Sequence, residues 1–451
     1  MSNTPLPPEI TPAQAISDAA GLVTEHVAHR NEPGPPSSQR GDPVRPLPRV
    51  GAGFIGAYMF TYFGLNLVML MPALFSLAYK VQVIDPTGKH TSLGLVIGLG
   101  SILGLIAGPV AGVLADGTRL RWGRRRPWLV AGLLLAALGA LIIALVSSIA
   151  LMVVGWSISQ LAVAVISAGF NPVLAERVPS AQRGRVGALG GVSAALAGVG
   201  ASLFGSFLTG SMLLLFLTPC VVFALGLLIF LPILKDEPAP AGTVVPSLAE
   251  VFRSFLFNPR QHSDFALVFI GKFLLQFGFT FFSTYQLYFL LDRLGSTPEE
   301  AGRKLAAAGG ISLVALMSFA VLGGFLSDRL RRRKPFIYLA AALIATGLIT
   351  VAVADSITMF ILGGTLLSAG TGAFTSVDLA MATDLLPEPD KAGKYMGIYY
   401  LSSGIPGVIA PIVAPLVIGL GGGGNYAALF TCGAILAAGT AITTARIRSV
   451  R

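Results

Sequence analysis

Histidine, cysteine and charge are all scarce in this chain of 451 residues, which holds four histidines, two cysteines and only 12% charged residues. Each shortage excludes something. His26, His29, His90 and His262 all stand outside the apolar stretches, with no nucleophile and base set or phosphate loop beside them, so no enzyme is expected. Cys220 and Cys432 lie inside apolar stretches, as core packing residues do, which speaks against a disulfide frame and against a metal site; no cofactor is expected either. So little charge beside 54% apolar residues, at a mean hydropathy of +0.77, excludes water as the main solvent. The formal net charge of +10 would suit a nucleic-acid binder. Its lysines and arginines, however, stand in short clusters between apolar runs long enough to cross a bilayer, so no nucleic acid is expected as a partner.

What the chain has in abundance is long apolar runs. Twelve spans are expected, at about 50–79, 92–115, 127–146, 150–174, 186–209, 212–234, 264–291, 301–326, 335–354, 357–383, 394–419 and 425–445. The fold class is therefore an all-α membrane protein with the lipid bilayer as its solvent. Residues 1–49 carry ten prolines and read as a disordered tail, with Ala13 to Ala28 as a short amphipathic stretch at most; without a basic start and an apolar core the tail is not a signal peptide. Residues 50–234 form a first six-helix bundle, 235–263 a polar linker, 264–445 a second bundle and 446–451 a short tail. With the N-terminus inside, 25 of the 31 lysines and arginines fall on the tails and inward loops and five on outward loops, which puts both termini in the cytoplasm of a multi-pass cell-membrane protein.

The two bundles are copies. Gly108 to Trp128 reads GPVAGVLADGTRLRWGRRRPW, and Gly323 to Phe336 reads GGFLSDRLRRRKPF: an apolar run, an aspartate, a basic cluster and a proline that opens the next span. Pro127 and Pro335 are 208 residues apart, and so are Pro179 and Pro387. Two anchors at one offset indicate a duplicated unit.

Within each copy the spans differ with a period of three. Spans 3, 6, 9 and 12 are almost purely apolar and suit lipid, whereas spans 2, 5, 8 and 11 are rich in glycine or proline, which lets helices approach closely and bend. Spans 1, 4, 7 and 10 carry polar side chains at helical spacing. These are Tyr58, Tyr62 and Asn66; Trp156, Gln160, Ser167 and Asn171; Lys272, Gln276, Thr280, Thr284 and Tyr288; and Ser368, Thr371, Thr375 and Asp378. Polar groups facing lipid are costly, so four stripes in register converge on a central cavity, unless they serve only to glue helices together. Tyr58, Tyr62, Trp156, Tyr285 and Tyr288 offer flat faces with polar edges on which a ring-shaped solute can stack, or else pack between helices. Lys272 and Asp378 each lie within about eight residues of one end of their helix, up to roughly 12 Å deep at ~1.5 Å per residue, and are expected to form a buried ion pair. That pair either couples proton movement to solute binding or staples spans 7 and 10.

The GVLAD-to-GRRRP loop, its copy after span 8, the twelve spans and the three-helix period resemble the major facilitator superfamily over nearly everything after residue 50. Within it, RWGRRRPW and RRRKPF resemble the sugar:cation symporters of the glycoside, pentoside, hexuronide and sucrose type, although the acidic residue that sucrose carriers place in span 1 is missing. The resemblance implies two pseudo-symmetric six-helix bundles that rock about a midplane site and act as a monomer on a small-molecule solute. It further implies a cytoplasmic gate in which Asp116 caps span 11 while Arg125 or Arg126 holds Glu176, with Asp328, Arg332 and Asp384 as counterparts; the arginines also serve as plain topology anchors. Proton-coupled transport of a sugar or related polar metabolite is the expected function. Export of drug-like compounds by proton antiport is the alternative, against which stands the missing exporter signature in span 5, and a membrane sensor is the distant one. Solute, direction and coupling ion stay open.

Overall fold

The computed structural model describes residues 48–239, 247, 250, 255, 257–388, 391–422 and 424–448. The expected tail, with its amphipathic stretch, lies outside them except for residues 48 and 49. The twelve expected spans are twelve helices: α1 Ala52–Ile84, α2 Lys89–Asp116, α3 Arg126–Leu145, α4 Ile149–Arg177, α5 Ser180–Phe207, α6 Met212–Ile233, α7 Ser263–Asp292, α8 Pro298–Leu330, α9 Lys334–Ala352, α10 Ile357–Asp384, α11 Ala392–Ile418 and α12 Tyr426–Arg446. Helix is the form such runs must take, because it satisfies every backbone group within the segment.

Local sequence sets the helix ends and irregularities. Thr297 and Glu300 close a capping box at the start of α8, and Pro127 and Pro335 sit in the first turns of α3 and α9, where the missing N–H costs nothing. Pro72 removes one donor inside α1, and the chain widens there into a π-helical turn over Pro72–Ser76. Helix α5 begins at Ser180, six residues before its expected start, and α8 runs to Leu330, four beyond its expected end. Both extra turns are polar and stand clear of the apolar run, so hydropathy underestimates them.

Helices 1–6 pack mainly among themselves, as do helices 7–12; across the divide α2 meets α11 and α5 meets α8. Glycines set the closest contacts within each half. Gly139 of α3 lies against the Gly155 carbonyl of α4, and Gly347 of α9 lies against the Gly363 carbonyl of α10. Both members of the second pair stand 208 residues after those of the first, so the repeat read from prolines extends to the packing of the halves.

All even-numbered helices end on one face, here the terminal face, which carries both basic clusters. In the first, Gly123 turns the chain at φ +101°, and Asp236 fills the space that a side chain there would occupy. Its carboxylate accepts the backbone N–H groups of Arg125 at 2.7 Å and Arg126 at 2.9 Å, capping the start of α3.

Candidate functional site

Helices α1, α4, α7 and α10 touch one another only sparsely, because each leans on helices of its own half: α1 on α5 and α6, α4 on α2 and α3, α7 on α11 and α12, α10 on α8 and α9. On the first-half side an open cavity of about 400 Å³ lies between Met69, Gly104, Gly108 and the α4 face that carries Gln160, Ser167 and Asn171. Gln160 donates to Ser101 Oγ at 3.1 Å, and Asn171 is exposed. Asn66 donates to the Tyr62 carbonyl at 2.7 Å, and Tyr62 stacks on Phe170 with ring centres 5.5 Å apart. On the second-half side Thr375 is exposed and Thr371 and Gln276 are half-buried; the Thr371 hydroxyl is turned back on its own helix, donating to the Leu367 carbonyl.

Several aromatic and polar residues expected at the cavity lie elsewhere. Tyr58 is packed among Phe54, Phe170 and Phe230. Trp156 is buried between α4 and α2, over Gly100, with its indole N–H on Ser101 Oγ at 3.3 Å. Thr280 is buried and donates to the Gln276 carbonyl. Tyr285 and Tyr288 are both fully buried at the opposite face, where Tyr285 donates to the carbonyls of His90 and Pro411 and Tyr288 to that of Ala78.

Lys272 and Asp378 meet, with Nζ 2.9 Å from Oδ2 and both side chains largely buried. A third residue, which sequence reasoning missed, joins them. Tyr399 of α11 donates its hydroxyl to the same Asp378 oxygen, and its ring lies 3.7 Å from Lys272 Nζ. Asp378 Oδ1 is buried and has no partner. The carboxylate thus has one occupied and one vacant oxygen, and the ammonium rests on both a charge and a π face.

The far face is closed by contacts between the halves. Lys89 of α2 meets Asp292 of α7 at 2.5 Å, Tyr426 of α12 donates to the other Asp292 oxygen at 2.5 Å, and His90 Nε2 lies 2.7 Å from the Tyr426 hydroxyl. None of these four entered the expected site. They lie at span ends, and residues as far apart as 203 and 336 positions carry no local signal of pairing.

The terminal face is different. Glu176 is held by Arg124 at 2.7 Å and by Arg125, which also holds Asp116 at 2.8 Å. Although burial alone would lower it, the Arg125 guanidinium is held above its ordinary pKa by Glu176 and Asp116. Arg126 instead donates to the Leu234 carbonyl, and Asp384 is held by Arg333 at 3.0 Å, not by Arg332, which is exposed like Asp328. All these pairs stay within one half, and among the described residues no ion pair joins the halves on this face. The expected capping of α11 by Asp116 is accordingly not met here: its side chain is 60% exposed and held by Arg125, and the contacts of α2 with α11 at Gly94, Gly98 and Leu105 lie away from that end. Two further clefts, over Arg124 and Asp236 and over His262 and Asp384, each belong to one half.

Two repeated six-helix halves, closed together at one face and parted at the other around a polar space with a buried ion pair, define a polytopic membrane protein of the transporter class. The family model described as Major Facilitator Superfamily matches residues 54–318 and 268–450, and the chain belongs to that superfamily. Among solved structures, a mutant of the nucleoside transporter NupG superposes with a TM-score of 0.72 at 15% identity, over 87% of this chain and 99% of that one. A bacterial homolog of the human lysosomal transporter Spinster, in an inward-facing and unoccupied conformation, gives 0.61 at 16% over 87% and 93%. A POT family transporter in complex with a thioalcohol-conjugated peptide gives 0.68 at 13% over 86% and 94%. At these identities the likeness is one of fold. No curated protein matches the chain.

Proposed function

We propose that this chain is a secondary active transporter working by alternating access, which couples a proton to the movement of a sugar or related polar metabolite. The Lys272–Asp378 pair carries this reading. Two charges at that depth cost several kcal/mol when unpaired, so protonating Asp378 frees an ammonium that must find a new partner, and a hydroxylated solute supplies one. Gln160, Ser167 and Asn171 on the α4 wall of the first-half cavity offer neutral donors and acceptors of the kind that read hydroxyl groups. No acidic residue stands in α1, which leaves Asp378 as the coupling group.

The basic clusters support a cytoplasmic terminal face, with both termini in the cytoplasm and the chain in the cell membrane, and the chain is read as acting as a monomer. On this orientation the structure is open inward. In the opposite state Asp116 reaches the N-terminal end of α11, where the helix dipole favours it, and the arginine–carboxylate clusters around Glu176 and Asp384 form the closed cytoplasmic gate.

The test is purified protein in liposomes, with solute-evoked proton movement measured for a panel of sugars, and of nucleosides because a nucleoside transporter shares the fold. Wild type is expected to move protons with one of them, while Asp378→Asn exchanges solute without net proton flux. An outward proton leak with lipophilic compounds, and none with the panel, replaces this reading with export by antiport.

A further inference from the structure

Tyr399 touches both members of the ion pair from a helix that also joins the two halves. Its hydroxyl donates to Asp378 Oδ2, its ring lies under Lys272 Nζ, and the side chain is 1% exposed. One turn on, Ser402 is fully buried and donates its hydroxyl to the Tyr399 carbonyl at 2.5 Å. Pro406 follows, and with no N–H it leaves the Ser402 carbonyl without its helical donor; Pro411 and Pro415 repeat the break. From Gly404 onward α11 is held to the first half: Leu105 of α2 lies against Gly404, Gly94 against the Pro411 carbonyl and Pro415, and Gly98 against Ile412. Helix α11 is therefore tethered near its start to the Asp378 carboxylate and from Gly404 onward to α2, with its first softened turn, Ser402 to Pro406, at the junction.

We propose that Tyr399 is a positioning residue that transmits the protonation of Asp378 to the bend of α11, and so to closure between the halves. This rests on the reading of Asp378 as the coupling group. The proton, supplied by water, adds to Oδ1, the buried oxygen without a partner, and leaves the same way; no other covalent bond is made or broken. The neutral carboxyl holds Lys272 and the Tyr399 hydroxyl more weakly, and the inner end of α11 is released. Few other groups can respond. Lys272 and Tyr399 are the titratable groups that bond to Asp378, and Tyr400 lies 5.9 Å from Lys272 Nζ.

The experiment needs no solute. Spin labels on Leu120→Cys and Leu330→Cys, exposed positions on the terminal face of either half, report the opening in liposomes from pH 5 to 9, with Cys220→Ala and Cys432→Ala as background. Wild type is expected to change distance with pH and Asp378→Asn to stay fixed. Tyr399→Phe keeps the ring and removes only a donor that favours the charged carboxylate, so its midpoint moves to higher pH by about one unit, a tenfold change. Fluorotyrosine at position 399, a more acidic donor, moves the midpoint to lower pH, and Tyr400→Phe leaves it in place. An unmoved midpoint in Tyr399→Phe, with Asp378→Asn still fixed, overturns the role of Tyr399 and spares that of Asp378. If fluorotyrosine shifts nothing, the same conclusion follows even where the phenylalanine variant fails to fold. A wild type blind to pH, or an Asp378→Asn protein that still responds, removes both.

Discussion

Lys89 and Asp292 meet at 2.5 Å across the divide between the two halves, and every ion pair that joins the halves among the described residues ends on Asp292. The buried Lys89 ammonium and the Tyr426 hydroxyl share one carboxylate, one oxygen each.

Neutralising that carboxylate should loosen the far face. Hydrogen bonds to charged groups contribute roughly 1.5–3 kcal/mol, so Asp292→Asn is expected to raise the population open at that face about tenfold or more. A cysteine at Ser206, buried where α5 meets Gly302 of α8, reports this as its labelling rate by an impermeant maleimide. Exchanging the charges, Lys89→Asp with Asp292→Lys, should restore slow labelling; an unchanged rate in Asp292→Asn would sink the latch.

The central pair makes a different prediction, on stability. Removing one partner of a buried ion pair leaves the other uncompensated at a cost of roughly 3–5 kcal/mol, while removing both costs far less. Lys272→Met and Asp378→Leu should each lower the thermal unfolding midpoint in detergent, and the double variant should recover most of the loss. Additive losses would mean that the two side chains do not depend on each other.

Packing in the two halves should fail in parallel. A side chain at Gly139 or at Gly347 meets the carbonyl of the facing glycine, so Gly139→Val and Gly347→Val should each cost roughly 1–3 kcal/mol by overpacking. Unfolding midpoints that drop in one variant and hold in the other would contradict equivalent packing in the two copies.

The first basic hairpin depends on one backbone conformation. Gly123→Ala forces a Cβ into a left-handed turn and against Asp236, and should destabilise by roughly 1–2 kcal/mol from the backbone alone. Asp236→Asn keeps the shape of the cap at α3 with weaker hydrogen bonds, and its loss is expected to be the smaller. Denaturant titration of the two variants side by side decides it.

Much of this was legible in the chain. The spans stand out because a run of about 20 apolar residues in water has no stable alternative to the bilayer. The meeting of Lys272 with Asp378 was legible for a related reason: two intramembrane charges on helices of one half have few other partners. Arg333 and Asp384 stand 208 residues after Arg125 and Glu176, so the repeat itself points to the right arginine, which inspection of the cluster RLRRRK did not. Tyr399 carried no signal, since a tyrosine beside a second tyrosine near a helix start reads as interfacial, and only the crossing of α11 over α7 and α10 aims its hydroxyl at Asp378.

Hydropathy, the repeat offset and the position of charges along each span determined that this is a twelve-helix, two-fold membrane protein with an ionisable pair in its second half, because those are properties of short segments and of their spacing. Tertiary structure alone decided that Tyr285 and Tyr288 seal the far face instead of lining the cavity, that Asp292 rather than Asp116 holds the halves together, and that the polar space opens at the terminal face. The reason is physical: these contacts join residues far apart in the chain, and which of them meet depends on how whole helices cross, which no short segment specifies.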